Sequence, residues 1–458
     1  VLANYVLSHL LSVATAITST LMVIRLLSTS RAPQSLLAWV LALIFLPLAA
    51  IPLYFLIGTR KFPRVAKREA LWVAARSGAT RAGPVARVLE AIDAPPVREG
   101  NQLELLGSGE RAYARLMELI GEAKRTIDLE FFILAKDSVG LSVVEALAAR
   151  AKSGVRVRVV LDAVGSGAVK RRAAKVLEAA GGSLRTFLPL WQAPLRGRTN
   201  LRCHRKLAVF DGEHVLLGGM NIAEEYMGPT PKPGRWRDIA AVASGPVAMD
   251  ATALFESDWA FCGGEPEPRD GRSGPGEAVG HATLELVPSG PDLVHDTFYN
   301  ALITAIFSAS QRVAIVTPYY VPDDVVQRAL VLAARRGLRV QLIMPAHSNH
   351  AMTDFARRGL LRQLRTAGVE LHFYPHGMVH AKAMVVDDTF AYIGSPNIDM
   401  RSFFLNYENA LCVYSAPEIS LVRDWVDTLK AECNQELPHS ARELWLFEQV
   451  ARMLAPEL

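Results

Sequence analysis

The chain has 458 residues, with 50 Lys and Arg against 45 Asp and Glu for a formal charge of +5. That length exceeds what one ordinary core serves, so two lobes or one large pseudo-symmetric domain are expected; 50% hydrophobic against 21% charged residues excludes a disordered chain and argues against a wholly soluble one. Four cysteines in such a length exclude a disulfide scaffold, and the basic balance suits an anionic partner, either nucleic acid or acidic lipid.

The apolar excess sits at the start. No Asp, Glu, Lys or Arg occurs over residues 1–24 or 32–59, and each stretch meets the ~20 apolar residues that a membrane span requires. Arg25 and Arg31 bracket a short polar turn over 26–34, which predicts a transmembrane helical hairpin over residues 1–58. Pro47 and Pro52 predict a kink or a shallow, re-entrant path in its second arm. A cleaved signal peptide would need a basic start and no second apolar stretch, so a retained anchor is the reading. Arg60, Lys61, Arg64, Lys67 and Arg68 follow at once and make 59–100 a basic juxtamembrane linker. By the positive-inside rule the remainder faces the cytoplasm, with this cluster against anionic lipid at about 1 kcal/mol per charge.

Beyond residue 100 the chain reads twice. A helix over 112–123, an apolar run over 126–133, a helix over 139–151 and a basic turn and strand over 154–161 are followed by 298–308, 313–320, 325–334 and 337–344 in the same order. Such alternation predicts an α/β fold with mostly parallel sheets. Gly, Pro and charge dominate GGEPEPRDGRSGPGE near the middle, which reads as an exposed linker. The expected division is a first lobe over 101–262, a linker over 263–280 and a second lobe over 281–458 that ends in an apolar-striped helix.

Each half ends in one pattern. The first is H-x-K-x-x-x-x-D with His204, Lys206 and Asp211, then Gly218-Gly219-Met220-Asn221; the second has His380, Lys382 and Asp387, then Gly394-Ser395-Pro396-Asn397. Residues two apart on a strand share a face, so each His projects with its Lys. Asp211 and Asp387 belong to the repeated motif, but their odd offset points them away, to a turn they would hold through backbone hydrogen bonds. An imidazole can attack phosphorus, a Lys neutralises its oxygens, an Asn donates to them, and a second imidazole protonates the leaving oxygen, with neither metal nor cofactor required.

These motifs resemble those of the phospholipase D superfamily. The stretches LLAWVLALIFLPLAAIPLYFLIGTRKF, LEFFILAKDSVG, TPYYVPDD and the terminal LAPEL narrow the resemblance to bacterial cardiolipin synthases over essentially the whole chain. It implies two phospholipase D-type lobes and a multi-pass protein of the bacterial inner membrane that condenses two phosphatidylglycerols into cardiolipin and glycerol through a phosphatidyl-histidine. It makes His204 the nucleophile and His380 the acid, then base; symmetry of the motifs alone does not choose between them. It assigns Lys206, Lys382, Asn221 and Asn397 to the phosphoryl oxygens. Asp238 and Glu408 match the acidic partners of the histidines, with Gly219 and Ser395 supporting. Cys203 departs from the resemblance, standing where Asn is expected before His204.

Other readings are weaker. His372, His376 and His380 fall four apart, but Pro375 and Gly377 argue against the helix that would align them on a metal. The cysteines lack zinc-like spacing. A nucleic-acid phosphodiesterase would show a stronger basic stripe than +5 provides. A phospholipid hydrolase, or a transferase with another donor or acceptor, shares the chemistry up to the phosphohistidine. A scaffold with relic motifs does not fit intact His, Lys and Asn in both halves. The oligomeric state is left open, a homo-oligomer included.

Overall fold

The computed structural model describes residues 2–28, 33–58, 82–167, 169–188, 200–265 and 277–436. The five basic residues after the apolar stretches, the middle of the Gly/Pro linker and the helix expected over 440–458 lie outside the described residues.

The N-terminal unit consists of α1 (Leu2–Leu27), α2 (Pro33–Phe45) and α3 (Pro47–Ile57). Among the described residues, one helix, over Tyr5–Leu27, is long and apolar enough to cross a membrane. The second apolar stretch is not one continuous span. It breaks at Leu46, where φ −134° and ψ 50° leave the helical region ahead of Pro47, whose ring clashes with a helical predecessor. Pro47 then opens α3, a position where its missing N–H costs nothing, while Pro52 is carried inside α3. Met22, Leu26, Leu43, Ala50 and Tyr54 bury one small seam, yet Leu7, Leu10, Ile17, Leu21, Ile44, Phe45 and Leu48 stay exposed. The Ser12, Thr15, Thr18 and Thr20 hydroxyls each donate to the carbonyl four residues back at 2.8–2.9 Å, so α1 satisfies these four groups within itself.

The body is an α/β unit built on one 14-stranded sheet. Its strands are β1 (Arg98–Leu106), β2 (Thr126–Phe131), β3 (Arg156–Asp162), β4 (Ser183–Phe187), β5 (Lys206–Phe210), β6 (His214–Gly218) and β7 (Ala240–Ser244), then β8 (Ala282–Ser289), β9 (Arg312–Val316), β11 (Arg339–Pro345), β12 (Glu370–Tyr374), β13 (Ala383–Val386), β14 (Phe390–Gly394) and β16 (Glu408–Val413); β10 (Tyr320–Val321) and β15 (Ile398–Asp399) form a separate pair. The order is β12-β11-β9-β13-β14-β16-β8-β1-β7-β6-β5-β2-β3-β4. Strands from the two halves of the chain meet at the antiparallel β1–β8 pair.

The sheet is mixed, which corrects the mostly parallel expectation. Parallel pairing is confined to the outer strands β2-β3-β4 and β9-β11-β12, where helices make the crossovers. Everything between is antiparallel. The reason is connection length. β5 turns into β6 through Asp211 and Gly212, at φ 55° and 71°, and β13 turns into β14 at Asp387, at φ 50°. So short a link joins only antiparallel neighbours.

Helices cover both faces. On one, α5 (Gly109–Glu122), α6 (Ser138–Lys152) and α7 (Lys170–Ala179) bury Leu116, Ile120, Val143, Leu147 and Leu177 against Leu129, Val159 and Ala208. In the second half α9 (Thr297–Ser308), α10 (Asp324–Arg335) and α11 (Ala351–Thr366) do the same with Leu302, Ile306, Leu330 and Leu360 against Ile315, Leu342 and Met384, joined there by α4 (Pro84–Ala91). The other face carries α8 (Val247–Phe261) and α12 (Ala416–Ala431). Asp137 and Asp323 cap α6 and α10 by accepting from Gly140 N at 2.8 Å and Val326 N at 3.1 Å.

Candidate active site: two histidines with exchanged carboxylates

The motif histidines lie just before β5 and β13, in segments that leave the ladder and pair across the sheet. Cys203 bridges Tyr407 and Arg237 bridges Val379. His204 N donates to Tyr407 O at 2.8 Å and Tyr407 N to Arg202 O at 2.9 Å; His380 N donates to Arg237 O at 2.7 Å and Arg237 N to Met378 O at 2.8 Å. Each histidine segment is thus clamped to the segment that carries the other half's carboxylate.

The side chains follow. His204 Nδ1 lies 2.9 and 3.0 Å from the Glu408 oxygens, and His380 Nδ1 lies 2.8 Å from Asp238 Oδ2. Asp238 and Glu408 occupy matching positions despite their different lengths. Gly218 faces Ala240 and Gly394 faces Ala410, with each acid two residues ahead of that alanine. The supporting positions differ to suit. A Cβ on Gly219 would stand 2.1 Å from Asp238 Oδ1, so only glycine fits beside the shorter acid. Ser395, at the corresponding place, donates its hydroxyl to Glu408, and Asn406 Nδ2 donates to Glu408 at 3.2 Å.

Lys206 Nζ donates to His204 O at 2.7 Å, and Lys382 Nζ donates to His380 O and lies 3.0 Å from His380 Nε2. Asn221 and Asn397 are both buried; Asn221 Oδ1 accepts from Ile133 N at 3.2 Å, while Asn397 Oδ1 has no hydrogen-bond partner among the described residues. Aromatic rings wall the histidines: Phe132 is 5.2 Å from His204, and Tyr226 and Trp236 are 4.9 and 5.5 Å from His380.

Asp211 and Asp387 stand elsewhere. Asp211 accepts from the amides of Lys124, Arg125 and Thr126 at 2.7–2.8 Å, and Asp387 from those of Ser310, Gln311 and Arg312 at 2.7–2.9 Å. Both are turn-holding groups at the entries of β2 and β9, which removes them from the reacting set and leaves their place in the motif a structural one.

Burial sets the electrostatics. It pushes His204 down to about 4 against the pull of Glu408, and drives His380 well below its usual value with Lys382, Lys206 and His204 adding to the effect. It also opposes ionisation of Glu408, but the charge and hydrogen bond of His204, with Lys206 and Ser395, hold that carboxyl at about 2. Asp238 rises to about 6 through burial, with Lys382 and the Ile239 amide working against it. Burial lowers Lys206 to about 8 and Lys382 to about 7, opposed by Glu408 and Asp238. At neutral pH His204 is therefore a neutral imidazole. Its Nδ1–H faces an ionised carboxylate, which leaves the Nε2 lone pair available as a nucleophile.

Sequence reasoning passed over Arg205, Glu130 and Asp258, which form a buried cluster directly behind His204. One signal was readable: Glu130, like Asp128, puts a carboxylate between the apolar residues of β2, and Arg205 alternates with the His204 and Lys206 face. Asn406, Tyr226 and Trp236 had no comparable signal.

Comparison with known proteins follows this geometry. The family described as cardiolipin synthase, PLD-like domain, matches residues 116–259 and 302–430, segments that contain both histidine motifs and both acids. Cardiolipin synthase 1 of Bacillus anthracis is 29% identical over 94% of this chain and 90% of its own length. The major cardiolipin synthase of Bacillus subtilis is 33% identical over 79% of this chain and 76% of its own. Among solved structures, phosphatidylserine synthase of Haemophilus influenzae superposes with a TM-score of 0.61 at 16% identity, over 78% of this chain and 95% of that one, which establishes the fold. The chain belongs to the cardiolipin synthase family with its phospholipase D-like domain.

Proposed function

We propose that this protein is a membrane phosphatidyltransferase that condenses two phosphatidylglycerols into cardiolipin and free glycerol. The observation that carries the reading is the exchange of carboxylates, with His204 on Glu408 and His380 on Asp238. It gives two imidazoles whose Nδ1 is held by a carboxylate. His204 Nε2 meets no donor among the described residues and serves as the nucleophile, while His380 Nε2 lies 3.0 Å from Lys382 Nζ, beside the cation that would bind the same phosphate.

In the first step His204 Nε2 attacks phosphorus in line, and the bond from phosphorus to the headgroup glycerol oxygen breaks. That oxygen takes a proton from His380 Nε2. Burial and the neighbouring lysines hold His380 neutral, so the negative charge of a bound phosphodiester is what raises its affinity for the proton it must deliver. In the second step His380 takes the proton of the terminal hydroxyl of a second phosphatidylglycerol. The resulting oxygen displaces His204 from phosphorus and forms the second phosphodiester. Lys206, Lys382, Asn221 and Asn397 bind the oxygens that gain charge. The Asn397 Oδ1, which lacks a partner among the described residues, is available to a hydroxyl of the headgroup.

The seven-strand orders β1-β7-β6-β5-β2-β3-β4 and β8-β16-β14-β13-β9-β11-β12 run in the same sequence of element types from the central pair outward. This supports two pseudo-symmetric lobes that share one site. The exposed apolar surface of α1 to α3 supports a membrane anchor, with α1 as a span and the proline-broken α2–α3 as its return or re-entrant arm. The basic residues that follow it in sequence support a body on the cytoplasmic side, against anionic lipid.

The test is to incubate the purified full-length protein with phosphatidylglycerol alone in mixed micelles. Cardiolipin and glycerol in equal amounts are expected. Phosphatidic acid and glycerol without cardiolipin would make the protein a hydrolase, and turnover only with another lipid added would replace the donor or acceptor.

A further inference from the structure

The two histidines have matching partners in front of them and different surroundings behind. In the segment Cys203-His204-Arg205-Lys206, the residues alternating with His and Lys turn to the opposite face. There Arg205 is buried among three separate segments. Its Nε donates to Glu408 O at 3.1 Å, its Nη2 to Ser289 O at 3.3 Å, and its Nη1 to the buried Asp258 of α8. Its guanidinium also lies 5.4 Å from the Tyr407 ring, and the Tyr407 carbonyl receives His204 N. Glu408 and Ser289 are themselves partners across β16 and β8. One side chain therefore ties the segment of His204 to the strand start that carries Glu408.

Glu130 completes the cluster by accepting from Cys203 Sγ at 2.8 Å. Burial, and then the charge of Asp258, push the Glu130 carboxyl upward, so that Arg205 and Asp258 balance each other with Glu130 uncharged at neutral pH.

Among the described residues nothing of this kind stands behind His380. The motif offsets put Val379 and Ala381 where the first half has Cys203 and Arg205. Strand register puts Val316 where it has Glu130: Glu130 faces Leu207, and Val316 faces Ala383. All three are buried hydrocarbon.

We propose that Arg205 is a positioning residue which, by clamping the Glu408 backbone to the segment of His204, fixes the His204 ring and makes His204 the nucleophile of an otherwise symmetric pair. A nucleophile must meet phosphorus in line and gains from a ring held in one orientation, whereas a proton carrier serves two oxygens in turn. The inference rests on the two-step transfer proposed above.

A double-mutant cycle on the full-length protein tests it. Arg205→Met alone would take from the buried Asp258 the countercharge of Arg205, so the variant used is Arg205→Met with Asp258→Leu, which removes both members of the ion pair together. Single-turnover release of glycerol from phosphatidylglycerol is expected to slow about 10- to 100-fold, with KM within about 2-fold of wild type. Combined with Glu408→Gln, the losses should be strongly sub-additive, because both changes disturb one pair; combined with Asp238→Asn they should multiply. Multiplicative losses in both backgrounds, or a release rate within about 2-fold of wild type, would overturn the proposal. Because glycerol release is common to transfer and hydrolysis, the cycle remains readable if wild type makes phosphatidic acid instead of cardiolipin, which would count against the transferase reading alone.

Discussion

Replacing Glu408 by Gln isolates what the carboxylate does for His204. The side chain is fully buried, and its oxygens receive His204 Nδ1 at 2.9 and 3.0 Å, the Ser395 hydroxyl and Asn406 Nδ2 at 3.2 Å. Gln matches its size and keeps one acceptor, so the fold persists. Its NH2 group, however, must face either Asn406, itself a donor, or the Ser395 oxygen, which already accepts from Asn409 N at 2.9 Å, and in both cases lies within reach of His204 Nδ1. The imidazole then avoids two opposed donors by adopting the other tautomer. That puts the proton on Nε2 and removes the lone pair that attacks phosphorus. The anion that stabilises the developing phosphoimidazolium is lost as well. An acid-to-amide change behind a catalytic histidine lowers turnover by roughly 10⁴ where the tautomer is inverted. A loss of about 10³- to 10⁴-fold, or about 4–5.5 kcal/mol of barrier, is therefore expected here. The assay is glycerol release from phosphatidylglycerol, with the thermal midpoint checked alongside. Retention of more than about a tenth of wild-type turnover by a folded Glu408→Gln enzyme would refute the tautomer argument.

Asp238→Asn acts on the proton carrier and should divide substrates by leaving group. Glycerol release should fall by about 10²- to 10³-fold, but a phosphatidyl ester of 4-nitrophenol, which leaves without a proton, should lose less than about 10-fold; equal losses on both substrates would contradict the role of His380. The lysines set the alkaline limb. Lys382 is held near 7 and Lys206 near 8, chiefly by burial, and each works as a cation, so kcat/KM should fall as pH rises through about 7. In kcat the same inflection should lie higher, because bound phosphodiester favours the charged amines; a profile flat to pH 9 would count against this. Asp211→Ala removes a carboxylate that accepts from three amides and holds a φ of 55°. It should cost about 3 kcal/mol of stability, read by denaturation, and leave kcat per folded enzyme near wild type.

The chemistry of the site was readable because a repeated strand pattern carries its own geometry. His204 with Lys206 and His380 with Lys382 share faces by alternation, and the odd offset of Asp211 and Asp387 correctly sends them to turns. What alternation cannot carry is pairing between distant segments. Asp238 is nearer in sequence to His204 than to His380, yet it serves His380, because the segments around 203 and 407, and around 237 and 379, pair across the halves. The antiparallel interior of the sheet was missed for a related reason: helical crossovers dominate the periodicity, while the links at Asp211 and Asp387 that reverse the chain are only a few residues long. The second apolar stretch has enough hydrophobic length for a span, but a local steric effect at Leu46 and Pro47 divides it. Alternation turns Arg205 away from the face of His204 and Lys206, but its work as a buried clamp depends on Asp258, Ser289 and Glu408, which only the fold brings together.

In the proposed two-step transfer the phosphatidyl group passes through His204. Rapid quenching of full-length enzyme turning over headgroup-labelled and phosphorus-labelled phosphatidylglycerol, followed by peptide mapping under alkaline conditions that preserve phosphohistidine, tests it directly. Phosphorus label without headgroup label on the peptide containing His204, formed and lost at rates compatible with turnover, is the predicted result. The same label on the peptide containing His380, or turnover with no labelled histidine, would contradict it.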